Sequence, residues 1–203
     1  MTTPFLLPSA ASWAALVIEA ADETTAILEK AADRDWSRNA TGLGWTCRAT
    51  LDHLALGVVG YAGLLIARPT DRYITLFASL DPQAPIAHCL EGVRIASRML
   101  SSAVREADGD VRAWHPWGHS DGPGFAAMAI VELLVHGMDI SRGLDLDWRP
   151  PDHLCAPAVH RLFPQALDGD DATEVLLWCT GRTTLPGLTR QTHWQWDGTV
   201  RAR

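Results

Sequence analysis

The segment Phe125-Ala-Ala-Met-Ala-Ile-Val-Glu-Leu-Leu-Val-His-Gly-Met-Asp-Ile140 decides how this chain is read, because its only ionisable side chains are Glu132, His136 and Asp139. An α-helix turns about 100° per residue, so the positions four and seven after Glu132 return to within about 40° of its direction. The three groups therefore form a narrow polar stripe on an otherwise apolar helix. Burying a carboxylate without a partner costs several kcal/mol, so Glu132 has to be neutralised, paired with a cation or bound to a metal.

Working outward, the periodicity predicts three further long helices. Trp13, Leu16, Val17, Ala20, Ile27, Leu28 and Ala31 recur at spacings of three and four from Ser12 to about Ala32, with Glu19, Asp22, Glu23, Glu29 and Lys30 mainly opposite. Thr46 is the N-cap of a second helix that runs to about Ala67, is apolar almost all round and is stopped by Pro69. A third spans Ala87 to about Ala107, with Leu90, Val93, Ile95, Ala96, Met99, Leu100 and Val104 on its apolar side and Glu91, Arg94, Arg98 and Arg105 toward solvent. The fourth, about Pro123 to Leu144, carries the opening segment. After Arg149-Pro150-Pro151 come two shorter helical stretches, Asp152 to Phe163 and Ala172 to Gly181, then LPGLTRQTHWQWDGTV, a turn or hairpin. The expectation is an all-α chain forming one domain over residues 1–203: a four-helix bundle over about 9–146, with a short C-terminal extension over about 150–203.

Composition narrows the partners. With 24 acids against 17 bases, a net charge of -7 and Lys30 as the one lysine, nucleic acid and anionic membrane are not expected. Cys47, Cys89, Cys155 and Cys179 form no CxxC pair, which argues against a zinc knuckle, a redox dithiol or a disulfide framework. Six residues from His53, Cys47 falls on another helix face and reads as core. The N-terminal MTTPFLLPSAASWAAL lacks a basic region followed by a sustained apolar stretch, so the protein reads as cytoplasmic, a monomer or homodimer. The apolar stretches Leu54 to Ile66 and Phe125 to Val135 are interrupted and read as core helices rather than membrane spans.

One helix face cannot close a coordination sphere, and the second helix offers His53, set among Leu51, Leu54, Leu56, Val58 and Val59. His53, Glu132 and His136 suit a borderline-soft divalent ion and leave a position open for water or substrate, as in catalytic zinc sites. Asp139 is placed to orient a ligand from behind. Two plainer readings stand beside this one: a histidine satisfied within the core, and a Glu132 paired with an arginine of another helix. His115 and His119, in the loop VRAWHPWGHSDGPG, are rival or additional ligands. His88, His153, His160 and His193 have nothing nearby in sequence to single them out.

The blocks GWTCRATLDHLA, HPWGHSDGPGFAAMAIVELLVHGMDISRGL and LLWCTGRTTLPGL together resemble the DinB-like superfamily, and within it the metal-binding domain of the mycothiol-dependent maleylpyruvate isomerase family. W-T-x-R with D-H-L-A, combined with E-x-x-x-H-G-x-D, carries the likeness; relatives in the wider superfamily often have a histidine where Glu132 stands. The resemblance implies a DinB-like four-helix bundle, a divalent ion on His53, Glu132 and His136, zinc first and nickel second, and mycothiol as thiol cosubstrate. It implies a small electrophile or unsaturated acid as substrate and a metal-activated thiolate as nucleophile. The expected activity is a thiol S-transferase or an isomerase; because the isomerase proper carries a distinct C-terminal domain and only a short extension follows the fourth helix here, isomerase activity is not the main expectation. A non-catalytic metal-stabilised bundle that binds a small molecule or partner is the alternative, and a metal-free bundle with a buried Glu132–His136 network is a third. Arg182, Arg190 and Arg201 match no family motif; each is a candidate to bind an anionic substrate carboxylate, but the default reading is of solvated tail residues.

Overall fold

Each predicted helix forms. The computed structural model describes residues 8–166 and 171–201, so part of the N-terminal leader reading, and residues 167–170 and 202–203 of the extension, lie outside the described residues. The helices are α1 (Ala10–Glu29), α2 (Cys47–Ala67), α3 (Ile86–Glu106), α4 (Gly122–Gly143), α5 (Asp152–Leu162) and α6 (Ala172–Cys179), with no strand among the described residues. Thr46 caps α2 by accepting from the Ala49 amide, and Asp121 caps α4 by accepting from that of Gly124. The first helix ends three residues before the predicted Ala32. There the ladder tightens to i→i−3 bonds, and the buried Trp36 indole donates to the Ala31 carbonyl at 2.8 Å.

Both α1 and α2 pack against α3 and α4, which puts α1 and α2 at opposite corners of the bundle. The core is filled by Trp13, Leu28, Leu51, Leu54, Leu64, Leu90, Leu100, Phe125, Met128 and Ile130, all essentially without solvent contact. Each such side chain contributes about 1.5–3 kcal/mol relative to leaving it exposed. By length and composition alone, α2 and α4 are long and apolar enough to cross a membrane, but more than half of each one's most apolar stretch is buried inside the protein, in keeping with the reading as core helices. In this fold that character serves the core, and 89% of the most apolar window of α4 is buried inside the protein.

One part of the α3 pattern is corrected. Ile95 and Met99 are 54% and 50% exposed, because the buried line Leu90, Val93, Ser97, Leu100 and Val104 already sets the inner face and both residues fall on the outer one.

Beyond the bundle, α5 packs on α4 and α6 on α5. The expected turn or hairpin proves to be a turn, closed by a single antiparallel bridge between Leu185 and Leu188. No ladder extends it, because the following backbone bonds elsewhere: the amides of Asp197 and Gly198 donate to Leu162 and Trp117 carbonyls at 2.8 and 2.7 Å. Trp194 and Trp196 stack edgewise on Trp117. Arg161 fastens this arrangement from within. Almost fully buried, it pairs with Asp121 at 3.0 Å and donates to Gly198 and Thr199 carbonyls.

Candidate metal centre

The site lies where α2 faces α4. Along α4 as far as Ser141 the side chains are buried nearly all round, and in that stretch Glu132 and His136 are the ionisable groups that open partly toward the surface. Glycine at 137 lets α1 come close behind them: a Cβ there would stand 2.6 Å from Thr24 Cγ2, and Thr24 donates its hydroxyl hydrogen to the Leu133 carbonyl.

Glu132 Oε2 lies 3.1 Å from His136 Nε2 and 3.7 Å from His53 Nε2. One ligand atom from each of the three residues lies within 4.8 Å of the others, the one such group of His, Cys, Asp and Glu among the described residues. Donors about 2.0–2.2 Å from a tetrahedral ion stand roughly 3.3–3.6 Å apart, and the two separations from Glu132 Oε2 lie just either side of that range. His53 departs from the expected apolar setting. Its side chain is 39% exposed and its ring lies 5.0 Å from that of the exposed Trp45, so the site opens on this side.

The charges are arranged for a cation. Burial alone would raise the Glu132 carboxyl, but hydrogen bonds and charge from His136 and His53 hold it well below the usual carboxylate range. Burial would lower His136, yet Asp139 and Glu132 hold it above the ordinary histidine value. A proton on His136 and a bound cation are thus alternative ways of balancing the Glu132 charge. The buried Tyr61 hydroxyl, whose own ionisation is pushed far up by burial and by Glu132, donates to Glu132 Oε1 at 3.3 Å. This fixes one carboxylate oxygen and leaves Oε2 toward the histidines.

Asp139 sits behind His136. Its Oδ2 is 3.2 Å from His136 Nδ1, and a proton on Nδ1 leaves the Nε2 lone pair free. The same carboxylate accepts from Arg182 at 2.7 Å, and Arg182 also donates to the Thr180 carbonyl and lies over the Trp194 ring. Arg182 is therefore a largely buried counter-charge rather than a solvated tail residue. Gly181 makes the turn that aims it inward, with φ +70 and no room for a Cβ against the Gln191 carbonyl. Arg190 donates to the Gly181 carbonyl, and Arg201 pairs with Asp197 and donates to the Arg161 carbonyl. These two hold the tail.

The loop histidines do not join the group. His119 is exposed and bonds the Thr70 carbonyl. His115 is buried between Tyr61, Phe125 and Trp196, its Nδ1 accepting from the Trp117 amide, and burial pushes it down to about 4. His153 pairs with Glu19 at the surface, and His193 bonds Thr192. Cys47 is core, donating weakly to the Ile140 carbonyl, and all four cysteines are buried and free. Sequence reasoning missed Tyr61, Trp45 and the inward role of Arg182. For Tyr61 a signal existed: it lies about two turns beyond His53 on the same helix.

The sequence profile of the mycothiol maleylpyruvate isomerase N-terminal domain family matches residues 17–141, from α1 through most of α4, including His53, Glu132 and His136. No curated protein and no solved structure gives a significant match to the chain.

Proposed function

The chain belongs to the mycothiol maleylpyruvate isomerase N-terminal domain family, and from that premise we propose that it is a metal-dependent enzyme using a low-molecular-weight thiol, mycothiol. It acts as a thiol S-transferase or an isomerase on a small electrophile or unsaturated acid. The metal is held by His53, Glu132 and His136, with zinc fitting this nitrogen and oxygen donor set first and nickel second. The observation that carries the reading is the convergence of those three donor atoms around one buried carboxylate.

When bound, the ion supplies acidification of a coordinated thiol, making a thiolate nucleophile available at neutral pH. The protein's residues do the rest. Tyr61 and Asp139 fix Glu132 and His136 in orientation, and Arg182 balances the Asp139 charge. The exposed edge of His53 and the face of Trp45 leave an approach from solvent. A non-catalytic bundle would be favoured by a fourth protein ligand closing the sphere. Two candidates for that position are otherwise engaged, His119 with Thr70 and Asp139 with Arg182 and His136 Nδ1. That supports an open position.

Elemental analysis paired with thiol-dependent turnover tests this. Wild-type protein is expected to hold close to one metal per chain, and His136→Ala to lose both the metal and the turnover while remaining folded. Full metal content in the His136→Ala protein would remove the site assignment; metal-loaded wild type without turnover across electrophiles and unsaturated acids would leave the binding bundle.

A further inference from the structure

Between α2 and α3, on the outside of the bundle, runs a shallow, open groove of about 480 Å³ lined mainly by Ile66 from one helix and Ile95, Arg98, Met99, Ser102 and Glu106 from the other. Ile66 is 74% exposed, and Ile95 and Met99 are each about half exposed. The five α3 residues recur at spacings of three and four and share one stripe. No hydrogen bond or ion pair engages Arg98 or Glu106 within the described residues. Eight residues apart on one helix, about 12 Å of rise, they are poorly placed to pair with each other.

They are, however, equidistant from Ser102, four residues to either side. We propose that this groove is the interface of a homodimer, in which α3 of two copies cross antiparallel at Ser102. Arg98 of each copy then meets Glu106 of the other, and Ile66, Ile95 and Met99 are covered. A two-fold interface uses the same patch twice, so it needs a surface complementary to itself. Opposite charges placed symmetrically about a small residue have that property, and the serine permits close helix approach. A lipid surface is a poorer occupant. The groove carries one base against one acid, and a chain of net charge -7 is repelled by anionic headgroups.

Sedimentation velocity of the full chain over about a hundredfold range of concentration tests the assignment. Wild type is expected to be a dimer that dissociates on dilution. Met99→Glu, with Ile95→Glu as a second exposed site should the first disturb folding, is expected to give monomer with unchanged helicity. Arg98→Glu and Glu106→Arg should each weaken the dimer about tenfold or more, because each creates two like-charge encounters. The double reversal R98E/E106R should recover it. A wild type that is monomeric throughout, a dimer indifferent to Met99→Glu, or a double reversal no better than the singles each overturns the proposal. So does co-sedimentation of monomeric wild type with phosphatidylglycerol vesicles.

Discussion

The bundle and the C-terminal extension both pack on α4, but they are held there by different means. In the bundle, α1, α2 and α3 bury continuous apolar lines of Leu, Val, Ala and Trp, with a few side-chain bonds between helices, such as Thr24 to Leu133 and Ser101 to Ala14, added to that apolar contact. In the extension, α5 and α6 are only 11 and 8 residues long, and the chain after Cys179 has no ladder of its own. It is kept in place by buried arginines, indole rings and single backbone bonds to loops far away in sequence. Apolar burial is spread over many contacts and tolerates local loss, whereas a latch concentrates its contribution in few groups. The extension should therefore be sensitive at single polar positions where the bundle is not.

The largest expected effect is at the main latch. Arg161→Ala removes the partner of Asp121 and the donor to the Gly198 and Thr199 carbonyls. Breaking one side of a buried pair costs about 3–5 kcal/mol, read as a lowered midpoint in denaturant unfolding. A loss below about 1 kcal/mol would mean that the tail is held by its indoles instead.

Slightly smaller is a pH effect at the seam, where His115 of the loop before α4 packs on Trp196 of the tail. Burial lowers it from 6.5 to about 4, so the folded state refuses a proton that the unfolded chain accepts. Its contribution is intact above pH 6.5 and is lost as the pH falls toward 4, by about 3 kcal/mol in all. His115→Gln should flatten that part of the stability-against-pH curve. An unchanged acid slope would assign the loss to other groups.

The smallest effect crosses between the regions. Asp139→Asn removes the negative charge that holds Arg182 and backs His136, which should weaken metal binding about 10- to 100-fold without abolishing it. Competition with a metallochromic chelator measures this. No change would show that the extension has no influence on the centre.

The same contrast explains how much could be read from the sequence. The bundle helices were legible because burying one face imposes a period that survives in the residue order, and Glu132 with His136 stood out as ionisable groups interrupting it. Ile95 and Met99 were misread because periodicity does not say how wide a buried stripe is. What the order of residues did not display were contacts between distant segments: Tyr61 to Glu132, Arg161 to the 197–199 backbone, and Arg182 turning inward after Gly181. A buried arginine and a solvated one look alike in a tail with no period, and only the packing of α5 and α6 on α4 distinguishes them.

The link from Arg182 through Asp139 to His136 also makes the tail a reporter. If docking of residues 180–194 strengthens a cation's hold on His136, then by thermodynamic reciprocity the cation must strengthen docking of the tail by the same factor. Stripping the ion would then loosen a segment that never touches it. Cleavage by a protease after Arg182 or Arg190 would accelerate under chelation, giving a gauge of occupancy that needs neither a chromophore nor a substrate.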